Sequence, residues 1–144
     1  MRSAFLTAAA ALALFALSGT GYAQDGDGKL TVELNKLEPQ GTACQAYIVL
    51  QNGTEAAYDE LALDLVMFDT DGVIARRLAV DMAPLRAGRT SVKVFAVDGL
   101  ACDGISRILI NDVLSCVPTG EAEGQADCVG LIETTSRASA ELIN

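Results

Sequence analysis

An alternating apolar stretch that ends in an Asp-Gly turn is the feature that most constrains the fold of this chain. Apolar residues recur at every second position, which is the side-chain period of a β-strand with one buried face. They are Leu61, Leu63, Leu65 and Met67. The run ends in Asp69–Gly72, and Asp-Gly between two apolar runs is a strong hairpin signal because glycine accepts a positive φ. We therefore predict a central β-hairpin whose return strand spans 73–82, with a bulge or an edge position near Arg76 and Arg77.

Shorter alternating stretches flank this hairpin, and turn residues separate them. Further strands are predicted at 30–35, 44–51, 90–97 and 105–114, with a seventh possible at 129–133. No helical period lies between them, so we predict an all-β fold, an immunoglobulin-like antiparallel β-sandwich of about six or seven strands. The sandwich domain is assigned to 29–133. Residues 134–144 are expected to form a C-terminal tail, either as a short helix or as a loose segment.

The first 23 residues have the pattern of a secretory signal peptide. A positively charged start is followed by an apolar run, and Gly21 and Ala23 occupy the two positions that a leader peptidase recognises. The apolar run is too short for a comfortable membrane span. We predict cleavage before Gln24, a flexible lead-in at 24–28, and an exported protein, periplasmic or secreted, with no membrane span after cleavage.

Removing this leader from the 144-residue chain leaves 121 residues, enough for one domain with a real core. Arg2 is the only charged residue in the leader, so the net charge of −9 becomes −10 after cleavage. Such a surface repels nucleic acid and anionic lipid. The charge is compatible with basic partners, and by itself it identifies none.

All four cysteines lie in the mature chain, and an even count in an exported protein predicts two disulfide bonds. If successive strands run antiparallel, Cys44 and Cys102 lie at the same end of the sandwich and Cys116 lies at the other. Disulfide-bonded residues need Cα atoms within about 7 Å. We therefore predict the pairs Cys44–Cys102 and Cys116–Cys128.

The stretch Leu65–Asp69 resembles the Phe-x-Leu-Tyr-Asp motif of the FxLYD family of extracytoplasmic immunoglobulin-like domains. In that family the motif closes a strand before an Asp-Gly type of turn. A later turn resembles Leu85–Gly88, and the strand after it ends in aromatic and apolar residues, as at Phe95. The resemblance spans roughly 30–114. It implies the fold and an interaction role in the cell envelope, and it carries over no catalytic residues.

Three aromatic residues are candidates for a binding surface. Tyr47, Phe68 and Phe95 fall on strand faces that mix apolar and polar side chains, and exposed apolar patches often mark partner surfaces. An edge strand can also recruit a partner strand. The alternative is that the C-terminal segment covers these aromatic residues. The preferred hypothesis is a non-catalytic binding or accessory module of the cell envelope with a protein partner.

Two other classes of function were considered. The chain has no histidine, no nucleophile-elbow serine and no phosphate-binding loop, so we expect no enzyme and no cofactor. Asp69 and Asp71 are weak candidates for cation ligands, but position twelve of a calcium loop counted from Asp69 is Val80, so no metal site is predicted. A small-ligand or cation-binding periplasmic protein that uses such turn carboxylates is the alternative function.

Overall fold

The computed structural model describes residues 27–122 and 127–144. The predicted signal peptide and most of the lead-in therefore lie outside the described residues. The described chain forms eight strands: β1 (Leu30–Gln40), β2 (Ala43–Asn52), β3 (Tyr58–Phe68), β4 (Ile74–Asp81), β5 (Thr90–Val97), β6 (Arg107–Pro118), β7 (Ile132–Ser136) and β8 (Glu141–Ile143). Short 3-10 turns precede β6, at Cys102–Gly104, and β7, at Val129–Leu131.

The strands form two four-stranded sheets. Sheet 1 has the order β5-β2-β1-β7, and sheet 2 has the order β4-β3-β6-β8. The predicted all-β, disulfide-bonded fold is confirmed, with two corrections. There are eight strands rather than six or seven, and β7 and β8 run parallel to β1 and β6. These last strands join the sheets beside strands far from them in sequence, so no hairpin constrains them to be antiparallel.

The predicted hairpin is formed by β3 and β4, and β3 lies between β4 and β6 in sheet 2. The four alternating residues on its inner face, from Leu61 to Met67, are at most 1% exposed. The turn has Gly72 at a φ of 79°, a conformation that glycine adopts without strain. β4 is an edge strand, and its pairing with β3 shifts register between Met67 and Phe68, as the irregular return pattern indicated.

Both predicted disulfide pairs are present. Cys44 at the start of β2 is bonded to Cys102 in the β5–β6 connection, with a Cα–Cα distance of 4.8 Å. Cys116 in β6 is bonded to Cys128 before β7, with a Cα–Cα distance of 6.3 Å. Two disulfides are typical of a protein that resides in an oxidising compartment outside the cytosol. In the part of the chain that the structure describes, no helix has the length and apolar character needed to cross a membrane.

The C-terminal segment departs from its expected role. The expectation of a tail at 134–144 is corrected, because this segment contains most of β7 and all of β8. Its apolar side chains enter the core, with Ala140 at 1% and Leu142 at 5% exposure. The segment therefore extends the edges of the two sheets, and it does not cover an outer sheet face.

Candidate binding surface

The three aromatic residues predicted to bind a partner lie in three different places. Tyr47 is on the outer face of sheet 1, since its neighbours Ala46 and Ile48 are buried. Phe68 follows the buried Met67 and lies on the outer face of sheet 2. Phe95 is opposite the buried Ala46 and packs against the core, so its assignment to an outer face is corrected. The structure therefore does not bring these three residues together.

Tyr47 belongs to a different group of side chains, which we call the β5–β2 patch and define as Tyr47, Val49, Val92 and Val94. The register pairs Tyr47 with Val94 and Val49 with Val92, so all four side chains lie on the outer face of sheet 1. Val92 is 57% exposed and Val94 is 46% exposed. The patch is therefore a row of aliphatic and aromatic side chains on a sheet edge.

Polar side chains border the patch on its β1 side. The Tyr47 hydroxyl donates to Glu38 Oε2 at 2.6 Å, and Lys36 Nζ lies 2.7 Å from Glu38 Oε1 and 5.4 Å from the centre of the Tyr47 ring. The hydrogen bond to Glu38 raises the pKa of the Tyr47 hydroxyl, which stays a donor at neutral pH. These contacts hold the ring in a defined orientation beside the valines, as a preformed contact surface requires.

The inner face of β5 explains why the valines point outwards. Lys93 lies on that inner face, opposite the buried Ile48, and its ammonium group donates to the Ala83 carbonyl oxygen at 2.6 Å. Because β5 is an edge strand, a lysine can close the open side of the sandwich while its aliphatic stem covers the core. The valines occupy the alternate positions and therefore lie on the surface.

A polar network crosses the outer face of sheet 2. Asp64 is only 3% exposed, although it points away from the core. Its two carboxylate oxygens accept hydrogen bonds from Arg77 Nε at 2.8 Å and Arg77 Nη2 at 2.7 Å, and Asn111 Nδ2 donates to Oδ2 at 2.7 Å. Nearby, the Arg107 guanidinium lies 4.6 Å from the centre of the Phe68 ring. The network satisfies the buried carboxylate and links β3, β4 and β6.

The hydrogen bonds from Arg77, and then the one from Asn111, lower the pKa of Asp64 below its usual value of 3.8. A lowered folded-state pKa adds stability above the unfolded-state pKa, and this stability is lost as the pH falls through the folded-state pKa. We expect Asp64→Asn to be less stable than the native protein at about pH 6, with the difference shrinking below about pH 4. Urea unfolding at several pH values measures this difference, and a difference that stays constant down to about pH 2 would contradict the assignment.

The Asp69 carboxylate is engaged by the turn itself. Asp69 Oδ1 accepts the backbone N–H groups of Asp71 and Val73, both at 2.9 Å. This is the role of aspartate in a tight turn, and it directs the carboxylate towards the backbone. Among the described residues, no group of three or more acidic, cysteine or histidine side chains is placed to hold a metal ion.

A groove of about 550 Å³ lies where β2 ends and β5 begins. The buried Asn52 in its wall is fully engaged: it donates to the carbonyl oxygens of Ala56 and Arg86 at 2.8 and 3.1 Å. Its Oδ1 accepts from the backbone and hydroxyl of Thr54. Asn52 therefore ties two loops together and leaves no side-chain group for a ligand.

Comparison with known proteins gives a structural neighbour and no family. No protein-family model matches the chain, and no curated protein sequence matches it. Among solved structures, the fold is similar to that of IrmA from Escherichia coli, with a TM-score of 0.53 and 11% sequence identity over 74% of this chain and 90% of that one. At this identity the likeness shows the shared β-sandwich fold alone.

Sequence reasoning missed Val92 and Val94 as surface residues, although their alternation was visible. The more apolar face of a strand normally faces the core, and β5 reverses this rule because it is an edge strand. The signal that could have identified the inner face is Lys93, since an inward-pointing charge is typical of an edge strand.

Proposed function

We propose that this protein is a non-catalytic binding or accessory module of the cell envelope, exported to the periplasm or secreted, that acts by protein–protein contact. The observation that carries the proposal is the uncovered β5–β2 patch. Four aliphatic and aromatic side chains share one outer face, and two of them, Val92 and Val94, are about half exposed. An apolar patch rimmed by polar side chains is typical of a partner surface.

The shape of the surface favours a protein over a small molecule. The patch lies on a pleated sheet face, whereas small-molecule sites are usually concave and enclose most of the ligand. Its side chains have few rotatable bonds, and Tyr47 is held by Glu38, so little conformational entropy is lost on binding. The resemblance of Leu65–Asp69 to the FxLYD motif agrees with an extracytoplasmic interaction role.

Co-purification of the tagged mature protein, after mild crosslinking in the compartment to which it is exported, tests the proposal. We expect one stoichiometric partner that is lost when Val92→Ser and Val94→Ser are combined. Leu114→Ser is the matched control, since Leu114 is also about half exposed but lies on β6 of the other sheet. A partner retained by the double variant, or lost equally with Leu114→Ser, would contradict binding through the patch.

A small-ligand function is the second candidate, and the groove beside Arg89 and Glu55 is the feature that favours it. A bound ligand would raise the melting temperature, because it stabilises only the folded state. This candidate predicts that calcium or a small polar metabolite raises the melting temperature. Variants of Glu55 should abolish a rise caused by calcium, and variants of Arg89 should abolish a rise caused by an anionic metabolite. No rise in melting temperature at millimolar ligand concentrations would rule out the small-ligand function.

A further inference from the structure

We propose that the β5 edge of sheet 1 accepts an extended strand of the partner protein, so that the partner's backbone pairs with β5. This inference rests on the proposed function and adds the mode of binding. Its evidence is the direction of the β5 backbone, the contrast between β5 and the other sheet edges, and the charge of the chain.

The hydrogen-bond pattern shows which β5 peptide groups point outwards. In an antiparallel pair, opposite residues alternate between those that exchange two backbone hydrogen bonds and those that exchange none. Asn52 N donates to Arg89 O at 2.9 Å, and this pair continues the β2–β5 register. The pairs Val49–Val92 and Tyr47–Val94 therefore exchange none. The N–H and C=O groups of Val92 and Val94 point away from β2, towards the open edge.

The other long edge strand is protected. β4 also spans eight residues, but Arg77 and Asp81 occupy two of its outer-face positions, and the Arg76 guanidinium donates to Ala75 O at 2.7 Å. Arg76 also donates to the carbonyl oxygens of Asp98 and Gly99 at 3.0 Å, across the side of the sandwich. Charged side chains and irregular pairing of this kind prevent strand addition.

The outermost strands at the two remaining edges, β7 and β8, are short. β7 has five residues and β8 has three, so each offers little backbone to an added strand. β5, in contrast, spans eight residues in an unbroken register with β2. Its outer-face residues, Thr90, Val92, Val94 and Ala96, are all uncharged. The one charged residue of the strand, Lys93, lies on the inner face, and its ammonium group donates to the Ala83 carbonyl oxygen at 2.6 Å. Among the four outermost strands of the two sheets, β5 is therefore the one with both the length and the surface that strand addition needs.

The chemistry of the edge defines the partner segment. Backbone pairing provides affinity, and alternate side chains provide specificity. A partner strand with β-branched or aliphatic residues at alternate positions would place them beside Val92 and Val94 on the outer face. Because the mature chain carries a net charge of −10, a partner with a positive net charge would encounter it faster. This attraction acts at long range, since the charged residues in and beside β5 are mainly basic: Arg86, Arg89 and Lys93, with Asp98.

A fluorescent peptide, acetyl-Lys-Thr-Val-Thr-Val-Thr-Val-Thr-Lys-amide, is the probe for this mode. We expect saturable binding to the mature protein by fluorescence anisotropy. Val94→Pro removes one outward N–H group and leaves the β2 ladder intact, whereas Val94→Thr keeps that N–H group and replaces only a methyl by a hydroxyl. Strand addition predicts that Val94→Pro weakens binding about tenfold or more, while Val94→Thr weakens it only about two- to threefold.

The possible results of this experiment distinguish failure of strand addition from failure of the proposed function. If Val94→Thr weakens binding of the probe as much as Val94→Pro does, the partner contacts side chains alone, which overturns strand addition and leaves the patch as a binding surface. No saturable binding of the probe to the native protein overturns strand addition, and the co-purification experiment then judges the patch. A dimeric free protein with the Val92 and Val94 amides already protected would assign the edge to a second copy and also overturn it.

A second probe tests backbone pairing on the native protein, so its result does not depend on the folding of Val94→Pro. The same peptide with N-methyl groups on alternate residues of its pairing side keeps its side chains and loses its donors to β5. Strand addition predicts that this peptide no longer binds the native protein. Equal binding of the methylated and unmethylated peptides would contradict backbone pairing.

Discussion

Removal of the Cys44–Cys102 disulfide is expected to lower the free energy of unfolding by about 4 kcal/mol, as measured by urea denaturation of Cys44→Ala combined with Cys102→Ala. The bond joins residues 58 positions apart, so its loss releases a long loop in the unfolded chain. In the chain-entropy model the stabilisation grows with the logarithm of the loop length. A domain of this size has a net stability of about 5–15 kcal/mol, so this single bond contributes a large share of it.

The second disulfide provides the internal comparison. Cys116 and Cys128 are 12 positions apart, so the same model gives about 3 kcal/mol for their bond. We expect the Cys116→Ala, Cys128→Ala protein to be more stable than the variant without the longer link. If the shorter link proves the more stabilising, loop closure does not explain the role of the disulfides, and the packing of the buried Cys128 does.

Leu63→Ala is expected to lower the free energy of unfolding by about 3 kcal/mol. Leu63 lies in the middle of β3, is 0% exposed, and has strands on both sides, opposite Val80 of β4 and Val113 of β6. Truncation removes buried methyl groups and leaves a cavity that paired strands on both sides cannot close. Urea denaturation measures this loss. If the slope of the free energy of unfolding against urea concentration is unchanged, the shift of the midpoint gives the loss of stability directly.

Leu114→Ala is the matched control for this substitution. Leu114 follows Val113 in sequence, but it is 51% exposed. It lies at the register shift between β3 and β6, where Leu63 pairs with Val113 and Ala62 pairs with Ser115. The same chemical change is expected to alter stability by no more than about 0.5 kcal/mol. Similar losses at the two positions would mean that the inner and outer faces of sheet 2 are wrongly assigned.

The strands of the core were predictable because burial and alternation agree there. From Leu61 to Met67 every second residue faces the core, and the Asp-Gly turn follows the end of β3. The disulfide pairs followed from strand direction, since Cys44 and Cys102 lie at one end of the sandwich. The possible seventh strand at 129–133 was placed too early, because Val129–Leu131 form a 3-10 turn and β7 begins at Ile132, and β8 was not predicted. Thr134–Ser136 has no apolar alternation, and these residues become a strand because β1 offers an unpaired edge.

The candidate surface was predictable only in part. Tyr47 was correctly placed on an outer face, and the expectation that an edge strand could recruit a partner strand is retained as a proposal. The error at Phe95 came from the usual rule that the more apolar face of a strand is buried. In β5 that face carries Val92 and Val94 and lies outside, because Lys93 closes the open side of the sandwich. Such a choice depends on which strand lies at the edge, which is a property of the whole fold.

Amide hydrogen exchange along β5, measured by NMR on the free protein and with the Thr-Val peptide at saturation, tests the central claim most directly. The account predicts slow exchange at Lys93 and Phe95, which pair with β2, and fast exchange at Val92 and Val94, which face the open edge. Adding the peptide should slow exchange at Val92 and Val94 specifically. Amides at these two residues that are already protected in the free protein, or that exchange equally fast with the peptide bound, would contradict an open docking edge.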